Sequence, residues 1–421
     1  MREMKNSEVR WLGMIPKAWD LDKIVSLYSE RSTKVSDRDY PALSVTKQGI
    51  VPQLESAAKT DNGDNRKLIK KNDFVINSRS DRRGSCGISE YEGSCSLINT
   101  VLAPKNNMVN QYYNYLFKTE LFADEFYKWG NGIVDDLWST KWSSMKNIMV
   151  PFPPLEEQRV IADYLDIKCT QIDTIIAKEQ SVIEKLQEYK QSVITEAVTK
   201  GLDPKVAMIE SNISWIKTIP VTWKVSKLKY VAEFSPKCDF TDIEPNTEVT
   251  YTPMEYIKKG NYIPNSEAIG KLSVSLTKYE EGDIVIAKVT PCFENGNIAI
   301  MNNLKSGKGM GSSELFVFRA PEAIRKFVFY WMQNKLFIEQ CVATMTGTGG
   351  LKRVSSYYIS NSEIFLPPLE MIDDICNYLD EKCDLIERTI RQKELVISKL
   401  TEYKKSLIYE VVTGKKEVSY V

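Results

Sequence analysis

Two triplets in this chain, Glu188-Tyr189-Lys190 and Glu402-Tyr403-Lys404, have the E-x-K form with which a metal-dependent nuclease holds a metal ion and its activated water. Neither sits in a strand context, and neither has an upstream carboxylate spaced to share the metal, so both read as solvated helix faces. The 421 residues include no histidine. That absence removes Ser-His and Cys-His nucleophile pairs, HExxH zinc sites and histidine-dependent metal nucleases together. Cys86, Cys95, Cys169, Cys238, Cys292, Cys341, Cys376 and Cys383 are scattered with no CxxC pair, the pattern of reduced, mostly buried thiols. No GxxxxGK[ST] loop and no GxGxxG between a strand and a helix occurs, and Pro151-Phe152-Pro153-Pro154 lacks the Asn or Asp with which an amino-methyltransferase grips a target base. By elimination the chain binds rather than reacts.

The chemistry left is cationic and lies in stretches that read as loops. In the first half it is carried by Lys47, by Arg66 and Lys67 in the run at 66–71, and by Arg79, Arg82 and Arg83 in the run at 79–84. In the second half it lies in the runs at 288–296, 305–313 and 347–353, where Lys288, Thr290, Phe293, Asn295, Lys308, Ser312, Lys352 and Arg353 are the candidates for DNA contact. Arginine suits both phosphate and the guanine O6/N7 edge, and glycines let backbone approach a phosphate closely. A charged loop is more often simply solvated, and a Gly-rich turn simply a turn. Recurrence at similar places in both halves is what raises these positions above that background.

The elements that must position such loops are written twice. A helical segment opens at Pro153-Pro154-Leu155-Glu156-Glu157-Gln158 and runs to about Thr199; a second opens at Pro367-Pro368-Leu369-Glu370 and runs to about Thr413. One shift of 214 residues (368 − 154) carries Tyr164 to Tyr378, Asp166 to Asp380, Cys169 to Cys383, Lys190 to Lys404 and Thr199 to Thr413 without a gap. Loops drift in length and measured spacers do not, so the length belongs to the function. The heads repeat too: Trp11, Ile15, Pro16 and Trp19 return as Trp215, Ile219, Pro220 and Trp223, now 204 residues on. The middles therefore differ by ten residues while the ends match. Short apolar runs at 41–45, 74–77, 283–287, 297–300 and 315–318 predict strands, and amphipathic aromatic stretches at 111–129 and 324–344 predict helices, giving each globular part an α+β character.

The long segments carry a heptad seam. Leu165, Cys169, Ile172, Ile176, Ile183, Leu186, Val193 and Ala197 recur at steps of four and three, as do Leu379, Cys383, Ile386, Ile390, Ile397, Leu400, Leu407 and Val411. Glu179, Lys190, Lys393 and Lys404 fill the polar gaps. Forty-four residues at about 1.5 Å each make a rod of roughly 66 Å. An isolated seam would pack on its own domain; two of equal length favour an antiparallel pair with a globular part at each end, related by a pseudo-twofold axis. In that arrangement Glu179 and Lys393, both near a helix midpoint, fall in adjacent layers and are expected to form an ion pair that fixes register. The segment 156–200 has 6 basic against 9 acidic residues and 370–413 has 7 against 10, so the helices hold acid while the globular parts are mildly basic within a net charge of zero.

With its Pro-Pro-Leu-Glu-Glu-Gln helix openings, its W-x-x-x-I-P-x-x-W heads and the stretch at 282–296 with Gly311-Ser312-Ser313-Glu314-Leu315, the whole chain resembles the specificity subunit of type I restriction-modification systems. The second helix departs from the family opening, with Met371-Ile372 where Glu-Gln is usual. The resemblance implies two target recognition domains at 1–154 and 201–368, held apart by spacer helices at 155–200 and 369–421 that form an antiparallel coiled coil. It implies recognition of a bipartite, asymmetric double-stranded DNA target by a non-catalytic chain. Two modification subunits would bring S-adenosylmethionine, and restriction subunits would bring ATP and Mg, with no cofactor on this chain. No apolar run of eighteen residues and no signal-peptide core occurs, so a cytoplasmic protein away from membranes is expected. The near-neutral charge keeps a rival reading open, a coiled-coil scaffold whose globular ends bind proteins.

Overall fold

The computed structural model describes residues 2–53, 63–132, 138–348 and 350–418, and Gly349 of the 347–353 run lies outside them. The chain divides into two compact units, Met1–Glu179 with Glu394–Val421, and Gln180–Lys393. Each unit thus owns one half of each long helix. The helices span Leu155–Lys200 and Leu369–Val412.

In the first unit a four-stranded antiparallel sheet is ordered Cys86–Ile88, Phe74–Asn77, Asn99–Pro104, Tyr28–Glu30. The second unit repeats the order as Ile298–Ile300, Ile284–Ala287, Leu315–Arg319, Glu233–Phe234, and adds Ile257–Tyr262 in parallel at the edge beside Ile298–Ile300. That extra strand lies in the longer middle that the shifting repeat implied. Phe74–Asn77 and Ile284–Ala287 are buried along their whole length, which is why they read as unbroken apolar runs. Both start from the same device. A left-handed residue, Asn72 (φ 72°) or Gly282 (φ 81°), turns the chain so that the next side chain, Asp73 or Asp283, points inward. Asp73 accepts from Arg31 at 2.6 and 3.0 Å and from the Lys70 amide at 2.8 Å; Asp283 accepts from Arg319 at 2.7 and 2.8 Å and from the Glu280 amide at 2.8 Å. A smaller second sheet backs each main one, of three strands in the first unit and four in the second.

The aromatic stretches form helical hairpins, Asn110–Phe117 with Glu120–Lys128 and Glu322–Trp331 with Lys335–Ala343. Thr119 and Asn334, 215 residues apart, each break the pair of helices and cap the second by accepting the amide of Phe122 or Phe337. The hairpins dock on the long helices through one repeated bond: Tyr115 donates to Asp166 at 2.6 Å, and Tyr330 donates to Asp380 at 2.6 Å. Burial, then the adjoining carboxylate, pushes both phenols well above their ordinary range. Strands Met149–Phe152 and Glu363–Leu366 pair with Asp20–Lys23 and Lys224–Lys227 and aim the chain into each long helix.

The helix halves pair antiparallel, since the early part of the first packs with the late part of the second in one unit and the late part with the early part in the other. Leu165, Ile172, Leu379 and Ile386 are buried, and Ile176, Ile183, Leu186, Ile390, Ile397 and Leu400 are half-buried, between exposed flanks. The seam lysines have partners that periodicity alone did not reveal. Lys404 meets Asp173 at 2.6 Å in the first unit, and Lys190 meets Glu387 in the second, through one bond of 2.5 Å. These are the same pair made twice, because 173 + 214 = 387 and 190 + 214 = 404. No helix among the described residues is long and apolar enough to cross a membrane.

Candidate nucleic-acid interface

Three loops meet at one end of each main sheet. In the first unit Arg79 and Ser139 form an antiparallel bridge, and Ser139 also bridges Asn131. Ser78, whose Oγ donates to the Ile98 carbonyl, lies 3.1 Å from the Ser139 hydroxyl and ties in the third loop. The second unit rebuilds this junction at corresponding positions. Val289 bridges Arg353, Arg353 bridges Thr346, and Lys288 Nζ donates to the Ser313 carbonyl at 2.6 Å. A Cβ on Gly347, whose φ is 149°, would collide with the Leu351 backbone, so glycine is required where this loop folds back.

The junctions gather most of the basic positions singled out from the sequence. Arg79 lies 2.9 Å from Asp81, Arg82 is largely exposed, and Arg83 pairs with Asp124. Thr290 donates to the Gly350 carbonyl at 2.9 Å and accepts the Lys352 amide at 2.9 Å, which locks two loops together and leaves the Lys352 side chain exposed. Asn295 is exposed, and Ser312 accepts the Glu314 amide at 3.2 Å. Arg353 grips Glu314 with two bonds of 2.8 and 3.0 Å, and Lys288 approaches the same carboxylate at 3.8 Å. The Arg353 bond first, then the charges of Lys288 and Arg353, hold the Glu314 carboxyl below its usual range.

Four positions fall elsewhere and a fifth, Lys67, lies at the edge. Arg66 is 6 % exposed and spends its guanidinium on Ser94, with Nε to the hydroxyl at 2.9 Å and NH2 to the carbonyl at 3.2 Å. Phe293 is fully buried in the second unit's core. Burial makes these two framework residues, the arginine held on Ser94 and the ring packed in the core. Lys47 is exposed in the turn of the Leu43–Thr46 and Gly49–Pro52 hairpin, and Lys308 lies on the smaller sheet, 5.4 Å over the Phe240 ring. Lys67 donates to the Asn99 carbonyl at 2.8 Å at the edge of the first junction.

What the sequence reading missed is the cleft beside that edge. Its volume is about 590 Å³, and Lys67, Lys141, Lys146, Trp142, Leu97 and Ile98 line it. The signal was available, since the 214-residue shift carries Ser139 to Arg353 and so marks the adjoining Lys141 and Trp142 as junction residues. The E-x-K triplets are spent differently, their lysines being the seam residues paired with Asp173 and Glu387. Among the described residues no cluster of three or more Cys, Asp or Glu side chains is placed to hold a metal.

Two like α+β modules, each presenting a bridged loop junction and each anchored by an aspartate on a long helix, define a tandem repeat of one fold. Residues 28–185 match the model of the type I restriction modification DNA specificity domain. The chain is 34 % identical over 178 residues to the EcoAI specificity subunit of Escherichia coli, a match covering 40 % of this chain and 30 % of that protein. It is 22 % identical over 449 residues to the MjaIX specificity subunit of Methanocaldococcus jannaschii, covering 99 % of this chain and 97 % of that one. The chain spans about a third of the length of the EcoAI and EcoEI subunits it matches, 30 % and 32 % respectively. In fold it is similar to a chain solved in work on complex assembly and conformational transition of the type I R-M system (TM-score 0.70, 13 % identity, 96 % of this chain and 99 % of that). It is also similar to the HsdS subunit from Thermoanaerobacter tengcongensis (TM-score 0.50, 15 % identity, 96 % and 98 % covered). The matched model covers residues 28–185, and along most of its length the chain is similar to specificity subunits of type I restriction-modification systems.

Proposed function

We propose that this chain is the DNA-recognition subunit of a type I restriction-modification complex, reading a bipartite, asymmetric duplex target with one loop junction for each half-site. The observation that carries the reading is the duplicated junction: the backbone bridges recur at corresponding positions, while the side chains they present differ. One frame with two surfaces is what an asymmetric two-part target requires. Arg79, Arg82, Arg83, Lys47 and Lys67 serve the first half-site, and Lys288, Thr290, Asn295, Lys308, Ser312, Lys352 and Arg353 the second. The chain performs no chemistry itself. Its recognition domains occupy 1–154 and 201–368, and the helices at 155–200 and 369–421 carry the modification subunits, with restriction subunits joining that complex. The long helices leave an apolar stripe repeated at the 214-residue shift, Val182 and Tyr189 on the first and Val396 and Tyr403 on the second, each 38–53 % exposed, which suits such partners. Glu179 and Lys393 set the helix register in this reading; a charge exchange at both preserves it, and a lone Glu179→Leu change loosens it.

Comparing methylated adenines across the genome with and without the gene tests the proposal. A two-part motif that vanishes with the gene is the expected result, together with binding by the purified chain that weakens steeply between low and moderate salt. An unchanged methylation pattern with weak, salt-insensitive binding overturns it.

A further inference from the structure

We infer that Leu97 and Ile98 form a base-reading contact specific for the 5-methyl group of thymine, so that the half-site read by the first unit contains a thymine recognised through that methyl. The inference rests on the proposed DNA-reading function and names what one surface of it recognises.

Leu97 and Ile98 are 40 % and 44 % exposed, side by side on the loop that precedes the central strand Asn99–Pro104. Scattered single apolar residues on a surface need no explanation. Two features set this pair apart. The loop is held rigid, because the Ile98 carbonyl accepts from Ser78, which itself lies against Ser139. The pair lines the cleft of about 590 Å³ together with Lys67, Lys141 and Lys146, against a single carboxylate, Glu30, which lies 3.5 Å from Lys67. Three lysines against one glutamate make a lining suited to a polyanion, with an exposed apolar pair among them. A ligand that is anionic at its edges and carries an isolated methyl group between them matches that surface. In the major groove of duplex DNA, thymine presents such a methyl flanked by two phosphate backbones, and apolar side chains read it.

The second unit shows that the position is variable chemistry on a fixed frame. There the residue preceding the central strand Leu315–Arg319 is Glu314, held by Arg353, with Ser313 before it. The loop is tied there too, by the Lys288 amide donating to the Glu314 carbonyl at 3.0 Å and by Lys288 Nζ donating to the Ser313 carbonyl at 2.6 Å. The two tips thus share a scaffold and offer opposite polarity.

The test uses the full chain and duplexes carrying its mapped target, with each thymine of both half-sites replaced singly by deoxyuridine, which lacks only the methyl. Burial of one methyl corresponds to about a fourfold change in affinity. The expected result is a loss of about fourfold at one or two positions confined to one half-site, and its disappearance in the Leu97→Ser, Ile98→Ser double variant. Deoxyuridine tolerated everywhere, a target without thymine, or a penalty undiminished in the double variant overturns the inference. The deoxyuridine series on the unaltered chain stands even where the variant misfolds. Sequence-specific, salt-dependent binding with no deoxyuridine effect defeats this inference alone, whereas absence of any DNA binding defeats the proposed function with it.

Discussion

The two units enter their long helices by different chemistry. In the first, Glu157 accepts the Trp19 indole N–H at 2.8 Å and also pairs with Arg2, while the fully buried Gln158 accepts the Val109 amide at 2.9 Å and donates to the Pro153 carbonyl at 2.8 Å. In the second, the corresponding residues are Met371 and Ile372; Ile372 is buried in an apolar core, and the indole nitrogen of Trp223 is buried without an acceptor among the described residues. The helix starts, the strand pairing and the tryptophan survive the exchange. What positions the helix is therefore the strand that aims it and the apolar contact of the tryptophan, and the polar lock is an addition. A buried N–H left unsatisfied costs about 1–3 kcal/mol, so the second start is also the weaker one.

The largest effect tests what the two units share. Asp73→Ala and Asp283→Ala each remove the buried carboxylate from a pair with a half-buried arginine, and each is expected to cost about 2–3 kcal/mol in denaturant unfolding. Costs differing by more than about 1 kcal/mol would break the equivalence of the two frames. Next come the helix starts. Glu157→Met leaves the Trp19 indole and Arg2 without their acceptor and should destabilise by about 1–3 kcal/mol, whereas Met371→Glu gives the Trp223 indole a partner and should raise the second unit's melting temperature, for a gain of up to about 1 kcal/mol. A loss from Met371→Glu would show that the second start had adapted to its apolar pair. Smaller again is the seam. Glu387→Gln, opposite the mostly buried Lys190, is expected to cost about 1 kcal/mol, and Asp173→Asn, whose side chain is 58 % exposed, a few tenths, the latter vanishing in high salt. The smallest concerns acid. Glu314 titrates below its ordinary range in the folded chain, so its contribution is present above the unfolded value and is lost as pH falls through the folded one. The second unit should show this added acid sensitivity, Glu314→Gln should remove it, and the first unit, with Ile98 at that place, should lack it.

Much of the frame was legible because it is periodic. The 214-residue shift and the heptad steps located both long helices to within a residue or two of their ends, Lys200 and Val412 against the expected Thr199 and Thr413. The strand runs at 74–77 and 315–318 were found because their apolar residues are contiguous in sequence. The interface was less legible, because its three loops lie far apart in the chain and meet only through bridges such as Arg79 to Ser139. Charge alone misled at Arg66, which lies in the mostly buried strand Arg66–Ile69 and turns inward to Ser94. The aromatic Phe293 misled for the opposite reason: its loop is exposed on either side, but its ring fills the core. Lys141 and Lys146 were overlooked because no run of like charge surrounds them.

The division of the chain also orders its assembly in time. The second unit is one continuous stretch, Gln180–Lys393, and can complete its core as soon as that stretch has left the ribosome. The first unit needs Glu394–Val421 to cover the seam of its own helix half, so it must wait for a stretch that is made only after the whole second unit. Closing a loop of some two hundred residues is slow compared with local pairing. The unit that is begun first is thus expected to mature last, and while it waits, Leu165, Ile172 and Ile176 stay uncovered along one side of its helix half.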